Sequence, residues 1–428
     1  MPMIPDLINH RFALRDMGYS NAMGSSALPR HRWYFVKEAF SPEIVKAAIE
    51  QSGCGPDDII VDPFSGSGTV PVAAVQAGRH SVAFEVNPFL AFVSRAKLAQ
   101  TSQDLLEVAA CSAIEAGRRG KPSSLEAVSS FGPAGGRPKW LFNTEVLRAF
   151  AGSWSATADW SGPVQDMCRL ALLGAALDNC NAFRDGKCLR YRKDWGTCGF
   201  GRDSFLQAFG ERVLHIHTDL AGTPIDPGMG NIILGDCRWL LGHGLRRPFK
   251  LCVTSPPYLN SFDYSDVYRP ELFLGGFVDS NAGLRNIRLN TVRSHVQAAW
   301  RAPTESDFGE LYSQSVARIS ERSEFLWSRQ IPLMVQAYFE DLSRVLKELR
   351  ENALPSASLW LVVSTSAYVG VQIPVDLIIA EIGSRVGWRL QEVGVLRYLR
   401  PASHHWHKHF GIDSDARLRE SVVIFSAC

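Results

Sequence analysis

The segment Thr254-Ser255-Pro256-Pro257-Tyr258 closes an apolar run, Leu251-Cys252-Val253, that reads as a buried strand. Proline cannot continue a sheet ladder, so the strand stops there and the nearby carbonyls are held stiffly, free to point outward. The Ser255 hydroxyl and the Pro256 carbonyl are two hydrogen-bond acceptors on one short stretch, and Tyr258 adds a flat face beside them. That set suits an amino group conjugated to an aromatic ring. The nitrogen lone pair is delocalised into the ring, and acceptors on its N–H bonds favour the tetrahedral geometry from which it attacks a methyl carbon. A base taken out of a duplex can stack on the tyrosine. Taken alone, Pro-Pro-Tyr reads equally as a rigid strand-end turn.

A second set lies upstream, in Val61-Asp62-Pro63-Phe64-Ser65-Gly66-Ser67-Gly68-Thr69. A strand ends, two glycines turn the backbone sharply, and a helix begins, so a ligand can approach the main chain at a helix N-terminus. A dinucleotide fingerprint wants a third glycine at position 71, which is proline here. Glu85 falls at the end of the next strand, where an acid can accept from both hydroxyls of a ribose; Asn87 and Pro88 follow in a turn. Asp236 follows a third strand and Gly235, where it can accept from an adenine amino group or cap the next helix.

These residues need elements to hold them. Residues 58–62, a helix over 70–77, a strand over 81–85 and a helix over 88–98 read as β–α–β–α, the start of a doubly wound sheet. Ser41 and Pro42 open a helix before it, with Ile44, Val45, Ala48 and Ile49 as its apolar stripe. Strands return over 231–234 and 249–254, then over 359–364, 389–396 and 421–425, with helices over 334–351 and 373–386. The expected fold is α/β, a Rossmann-like doubly wound sheet. Residues 1–100 form its N-terminal part and 231–428 its C-terminal part, interrupted over 259–329. Residues 101–230 read as a largely helical insertion.

Composition permits this and excludes alternatives. The chain has 428 residues and a formal net charge of +2, which demands no polyanionic partner but leaves room for a local basic face. No apolar stretch is long enough to cross a bilayer and no signal-peptide pattern opens the chain, so a cytoplasmic location is expected. Nine cysteines occur without a Cys-x-x-Cys pair, which supports neither a zinc ribbon nor a disulfide framework. The run His404 to His409 is too dense in histidine for a defined zinc site, so no metal is expected. Carbon-5 methylation of cytosine needs a thiolate, which in familiar enzymes follows proline. The chain has no Pro-Cys dipeptide, so direct transfer to nitrogen is favoured.

Asp62 to Thr69 resembles the cofactor motif, and Thr254 to Tyr258 the catalytic motif, of the DNA amino-methyltransferases that act on cytosine N4 or adenine N6. The resemblance implies S-adenosylmethionine as cofactor, bound by Asp62, Phe64, Ser65, Gly66, Gly68, Thr69, Glu85, Asn87 and Asp236, with Phe64 to Gly68 at its methionine part, Glu85 at the ribose and Asp236 at the adenine. It implies Ser255, Pro256, Pro257 and Tyr258 around a flipped target base. Serine before Pro-Pro-Tyr resembles the cytosine-N4 members, and so does the closing Arg419-Glu420-Ser421-Val422-Val423. A place in a restriction-modification or defence system, with a cognate endonuclease as partner, follows from the resemblance alone. An adenine-N6 or RNA amino-methyltransferase and a catalytically silent nucleic-acid-binding partner are the alternatives.

Asn181 to Trp195 interleaves Arg184, Lys187, Arg190, Arg192 and Lys193 with Phe183, Tyr191 and Trp195, a composition suited to phosphate contact and base stacking or to a solvated loop. Arg285, Arg288 and Arg293 form a second basic group. Asp263, Tyr264 and Tyr268 are candidates for the base pocket. The insertion lies between Glu85 and Asp236, whereas in the family's familiar arrangements the recognition domain follows the adenine acid or the catalytic motif. Target recognition by 101–230 is an expectation that this departure leaves open.

Overall fold

A computed structural model describes residues 8–12, 23–185, 188–399 and 418–427; the histidine-rich run 404–409 and Lys187 lie outside them. After a short β1 (Ile8–Asn9), α1 (Pro42–Ser52) starts where its cap dictates: the Ser41 side chain accepts from the Glu43 N–H and Pro42 occupies the first turn. The β–α–β–α run follows as β2 (Ile59–Asp62), α2 (Thr69–Gln76), β3 (His80–Glu85) and α3 (Pro88–Leu98). All four residues of β2 are buried, as a strand covered on both faces requires.

The insertion supplies α4 (Gln103–Arg119), α5 (Thr144–Ala156), α6 (Gly162–Asp178), a hairpin of β4 (Ala182–Asp185) and β5 (Cys188–Tyr191), and α7 (Arg202–Gly222). It has no core of its own. Leu106, Phe150, Leu172 and Phe205 belong to one apolar cluster with Phe89 and Val93 of α3 and with Tyr268 and Leu272. One of its elements differs from the sequence reading: the hairpin, Ala182 opposite Tyr191, occupies what also reads as a solvated loop. Four-residue strands with mixed polar and aromatic faces have almost no periodic signature; pairing alone defines them.

The chain then returns to the main sheet: β6 (Gly230–Leu234), α8 (Cys237–Gly244) and β7 (Phe249–Thr254). Between β7 and β8 lie α9 (Tyr264–Val267), α10 (Arg269–Leu274), α11 (Asn281–Leu289), α12 (Glu310–Glu321) and α13 (Ile331–Glu351). β8 (Ala353–Ser364), the small hairpin β9 (Ser366–Tyr368) and β10 (Val371–Ile373), α14 (Val375–Arg385), β11 (Trp388–Tyr398) and β12 (Arg419–Ala427) complete it. The eight-stranded sheet has the order β1-β11-β12-β8-β7-β2-β3-β6. β6, β3, β2, β7 and β8 are parallel; β12 runs antiparallel between β8 and β11. From β2 the chain moves outward to β3 and β6, then comes back to β7 on the other flank of β2. The order therefore reverses between β2 and β7, and such a switch point opens a crevice at the carboxyl ends of the strands. The fold is an α/β Rossmann-like sheet carrying a largely helical insertion.

Candidate active site

β2 and β7 lie side by side, with Ile60 opposite Leu251 and Val61 opposite Cys252. The hydroxyl of Thr254, the last residue of β7, donates to Asp62 Oδ1 over 2.7 Å, and the same oxygen accepts from the Phe64 N–H at 3.0 Å. Burial pushes the Asp62 carboxyl up to about 7, against the pull of these two bonds. The glycine turn and the Pro-Pro-Tyr turn thus leave adjacent strands from a shared bond.

The glycine turn is held from below. Gly66 and Gly68 take φ of 51° and 84°, and a Cβ at position 68 would meet Ser94 Oγ at 2.9 Å. The Ser94 hydroxyl donates to the Gly66 carbonyl at 3.0 Å. Lys97 is fully buried, with its ammonium donating to the carbonyls of Ser67 and Tyr34; burial draws it down to about 7. Glu85 closes the turn from the side. Its Oε2 accepts from the Gly66 N–H at 2.7 Å and its Oε1 from the Asn87 N–H at 2.8 Å. Burial again outweighs these bonds and raises Glu85 to about 7.

Above the two turns is a cavity of about 350 Å³. Phe64, Ser65, Gly66, Thr69, Glu85, Asn87 and Asp236 line one part of it, and Ser255, Pro256, Pro257 and Tyr258 another. Asp62 and Gly68 are not in its wall. Asp62 joins the strand ends, and Gly68 lets the turn pass Ser94. Asp236 caps α8 by accepting from the Arg238 N–H at 3.0 Å and pairs with the Arg238 guanidinium at 2.7 Å, so its capping role coexists with a place in the wall. Tyr264 and Tyr268 also line the cavity. Asp263 caps α9 and pairs with Arg288 at 2.6 Å, which takes both residues out of the base-pocket and basic-patch readings. Arg293 is likewise committed to Asp341 and Glu340.

The wall also contains residues to which the sequence reading gives no site role, among them Glu38, Arg397 and Glu420. Glu38 accepts from the Tyr268 hydroxyl at 3.2 Å. Glu420 accepts from the Tyr258 hydroxyl at 3.1 Å and from Arg397 Nε at 2.5 Å. Burial, then the Glu420 carboxylate, hold the Tyr258 phenol well above the ordinary tyrosine range. Glu420 had one signal, its place in the closing Arg-Glu-Ser segment; Glu38 had none.

A DNA methylase family model matches residues 23–93, the stretch that contains α1, the glycine turn and Glu85. Type II methyltransferase M.AvaI from Nostoc is 26% identical over 408 residues, spanning 86% of this chain and 81% of its own. Type II methyltransferase M.BsoBI from Geobacillus stearothermophilus is 24% identical over 451 residues, spanning 92% and 85%. These matches support the DNA amino-methyltransferase family for this chain. The rRNA methyltransferase aviRa from Streptomyces viridochromogenes aligns over 94% of this chain and 92% of its own at a TM-score of 0.31 and 9% identity, and the assignment does not rest on it.

This DNA methyltransferase takes its methyl group from S-adenosylmethionine. The cavity fits that donor. Around Gly66 nothing stands within 4 Å of where a Cβ would be, so a ligand can lie against the backbone. The Glu85 oxygens, which accept from the Gly66 and Asn87 N–H groups, have acceptor capacity left for a hydroxyl. The Asn87 side-chain amide, in the same wall, is a buried donor with no partner among the described residues.

The hairpin separates the basic residues of the methyltransferase into two kinds. Arg184 is not available to phosphate: it pairs with the fully buried Glu271, donates to the Val267 carbonyl and lies 4.6 Å over the Tyr268 ring. Arg192 Nε donates to the Cys180 carbonyl, and Tyr191 packs edge-on against Trp195. Arg190 and Lys193 are exposed, Arg190 beside Asp185 at 2.8 Å. Among the described residues no helix is long and apolar enough to cross a membrane.

Proposed function

We propose that this chain methylates N4 of a cytosine flipped out of DNA, as the modification half of a restriction pair whose endonuclease is its functional partner. One observation carries the reading. The Asp62–Thr254 bond joins the strand ends, so the Gly66–Glu85 wall and the Ser255–Tyr258 wall share one cavity. Bound S-adenosylmethionine supplies an electrophilic methyl group. The residues of the chain do the rest. Glu85, Asn87 and Asp236 hold the nucleoside part and the Gly66 backbone the methionine part. Ser255 Oγ and the Pro256 carbonyl accept from the two N–H bonds of the target amine, aiming its lone pair at the methyl carbon. Tyr258 carries the base on its ring.

Cytosine over adenine is supported by Ser255 ahead of the two prolines, the residue by which the N4 members differ from the N6 members. The restriction setting is supported by the Type II relatives. The test is expression in a host without base modification, followed by mass spectrometry of hydrolysed DNA and modification-sensitive sequencing. N4-methylcytosine at one recurring sequence is expected, and Ser255→Ala should abolish most of it while cofactor binding persists. N6-methyladenine would overturn the base assignment, and equal loss of cofactor affinity in the variant would overturn the role of Ser255.

A further inference from the structure

We propose that Glu420 is a positioning residue for Tyr258, and that Arg397 holds the Glu420 carboxylate in register to act. The inference rests on the reading that Tyr258 carries the target base. Arg397 and Glu420 face each other across β11 and β12, and a β-bulge falls between Val395 and Arg397 at that point. A bulge re-aims the side chain that follows it, and bulges recur beside active sites for that reason. Here it brings Arg397 into the cavity wall together with Glu420. The Glu420 side chain is 5% exposed, so its charge needs a partner; Arg397, 41% exposed, provides it at 2.5 Å through one oxygen. That leaves the other oxygen, Oε1, to accept from the Tyr258 hydroxyl at 3.1 Å.

The geometry acts on the ring plane. Tyr258 follows two prolines that fix the backbone, but its ring remains free to turn about its own side-chain bonds. A hydrogen bond at the far end of the ring removes that freedom, and stacking on a flipped base depends on the plane being set beforehand. Among the described residues the Glu420 side chain bonds Tyr258 and Arg397 and neither amine acceptor, Ser255 or Pro256; its effect passes through the phenol.

The test uses full-length protein, labelled S-adenosylmethionine and unmodified bacterial DNA, so the target base and sequence need not be known. The variants are Glu420→Ala, Glu420→Gln, Tyr258→Phe and the double Tyr258→Phe/Glu420→Ala. Losing the bond should lower kcat about tenfold in Glu420→Ala, with melting temperature and cofactor affinity unchanged. Glutamine keeps an acceptor for the phenol, so Glu420→Gln should stay within about threefold of the parent. In the Tyr258→Phe background the hydroxyl is already gone, and Glu420→Ala should cost less than about twofold more. The proposal is overturned if Glu420→Ala costs the same factor in both backgrounds, if Gln is as slow as Ala, or if the loss appears in cofactor affinity or melting temperature instead of kcat. Should Tyr258→Phe be too slow to measure, the Gln–Ala comparison decides. The base found in the methylated product tests the cytosine reading separately.

Discussion

Glu85 links the glycine turn to the cofactor through its protonation. Its two backbone bonds hold the turn in either state, but accepting from two ribose hydroxyls requires the carboxylate. Burial raises the group to about 7, so the carboxylate is the main form only above that pH. The sign follows: the group takes up a proton as pH falls through 7, and cofactor binding, which wants it ionised, weakens in that direction. Calorimetry should show the dissociation constant for S-adenosylmethionine rising between pH 8 and 6, toward about tenfold per unit below 7. Glu85→Gln should bind weakly with a flatter profile. A parent profile that is flat over this range would remove Glu85 from the ribose. The folded state has the opposite preference. A carboxyl raised on folding favours the fold below its unfolded value of 4.5, and that contribution is lost as pH rises through about 7.

At the scale of elements, the rim of the cavity depends on one buried acid. Asp341 of α13 accepts from Arg238 of α8 at 2.7 Å and from the backbone and guanidinium of Arg293 at 2.9 and 2.7 Å. Arg238 also donates to the Asn290 carbonyl, so α8, α13 and the wall segment Asn290–Val292 meet at this knot. Removing the acid takes one carboxylate from two largely buried guanidinium groups, which keep Asp236 and Glu340 as their remaining partners. Asp341→Ala should therefore cost about 2 kcal/mol in urea denaturation, above what a surface pair contributes. A loss under about 1 kcal/mol would mean that the arginines find water or other partners and that the knot is incidental.

For the whole molecule, DNA has to reach a cavity set between the ends of the parallel strands and the segment Tyr258–Val292. The hairpin is tied to the cavity side through Arg184, which anchors it on Glu271 and Val267. We propose that its exposed residues, Arg190 and Lys193, meet the phosphate backbone while Arg184 and Arg192 keep the hairpin in shape. Neutralising Arg190 and Lys193 together should weaken DNA binding evenly across sequences and lower the slope of log affinity against log salt by about 2. An unchanged slope would take the hairpin off the DNA path and leave target recognition to be sought in another part of the chain.

The chemistry-bearing turns are legible in the sequence because local rules write them. Pro256 and Pro257 keep β7 from running past Thr254, glycine bends the chain after β2, and Ser41, Asn87 and Asp236 cap the helices that follow them. The central parallel strands are legible as short, nearly continuous apolar runs bounded by turn residues, because they are buried on both faces. What a sequence without alignment leaves undetermined is pairing at a distance. Asp62 looks like part of a binding motif until Thr254, 192 residues away, claims it. Arg184 looks like a phosphate contact until Glu271 claims it, and Glu420 enters the site only because β12 returns beside β8 and a bulge in β11 turns Arg397 toward it. Residue type and spacing determine which groups can react; the order of strands in the sheet decides which of them meet, because a buried charge is settled by the partner that folding brings to it.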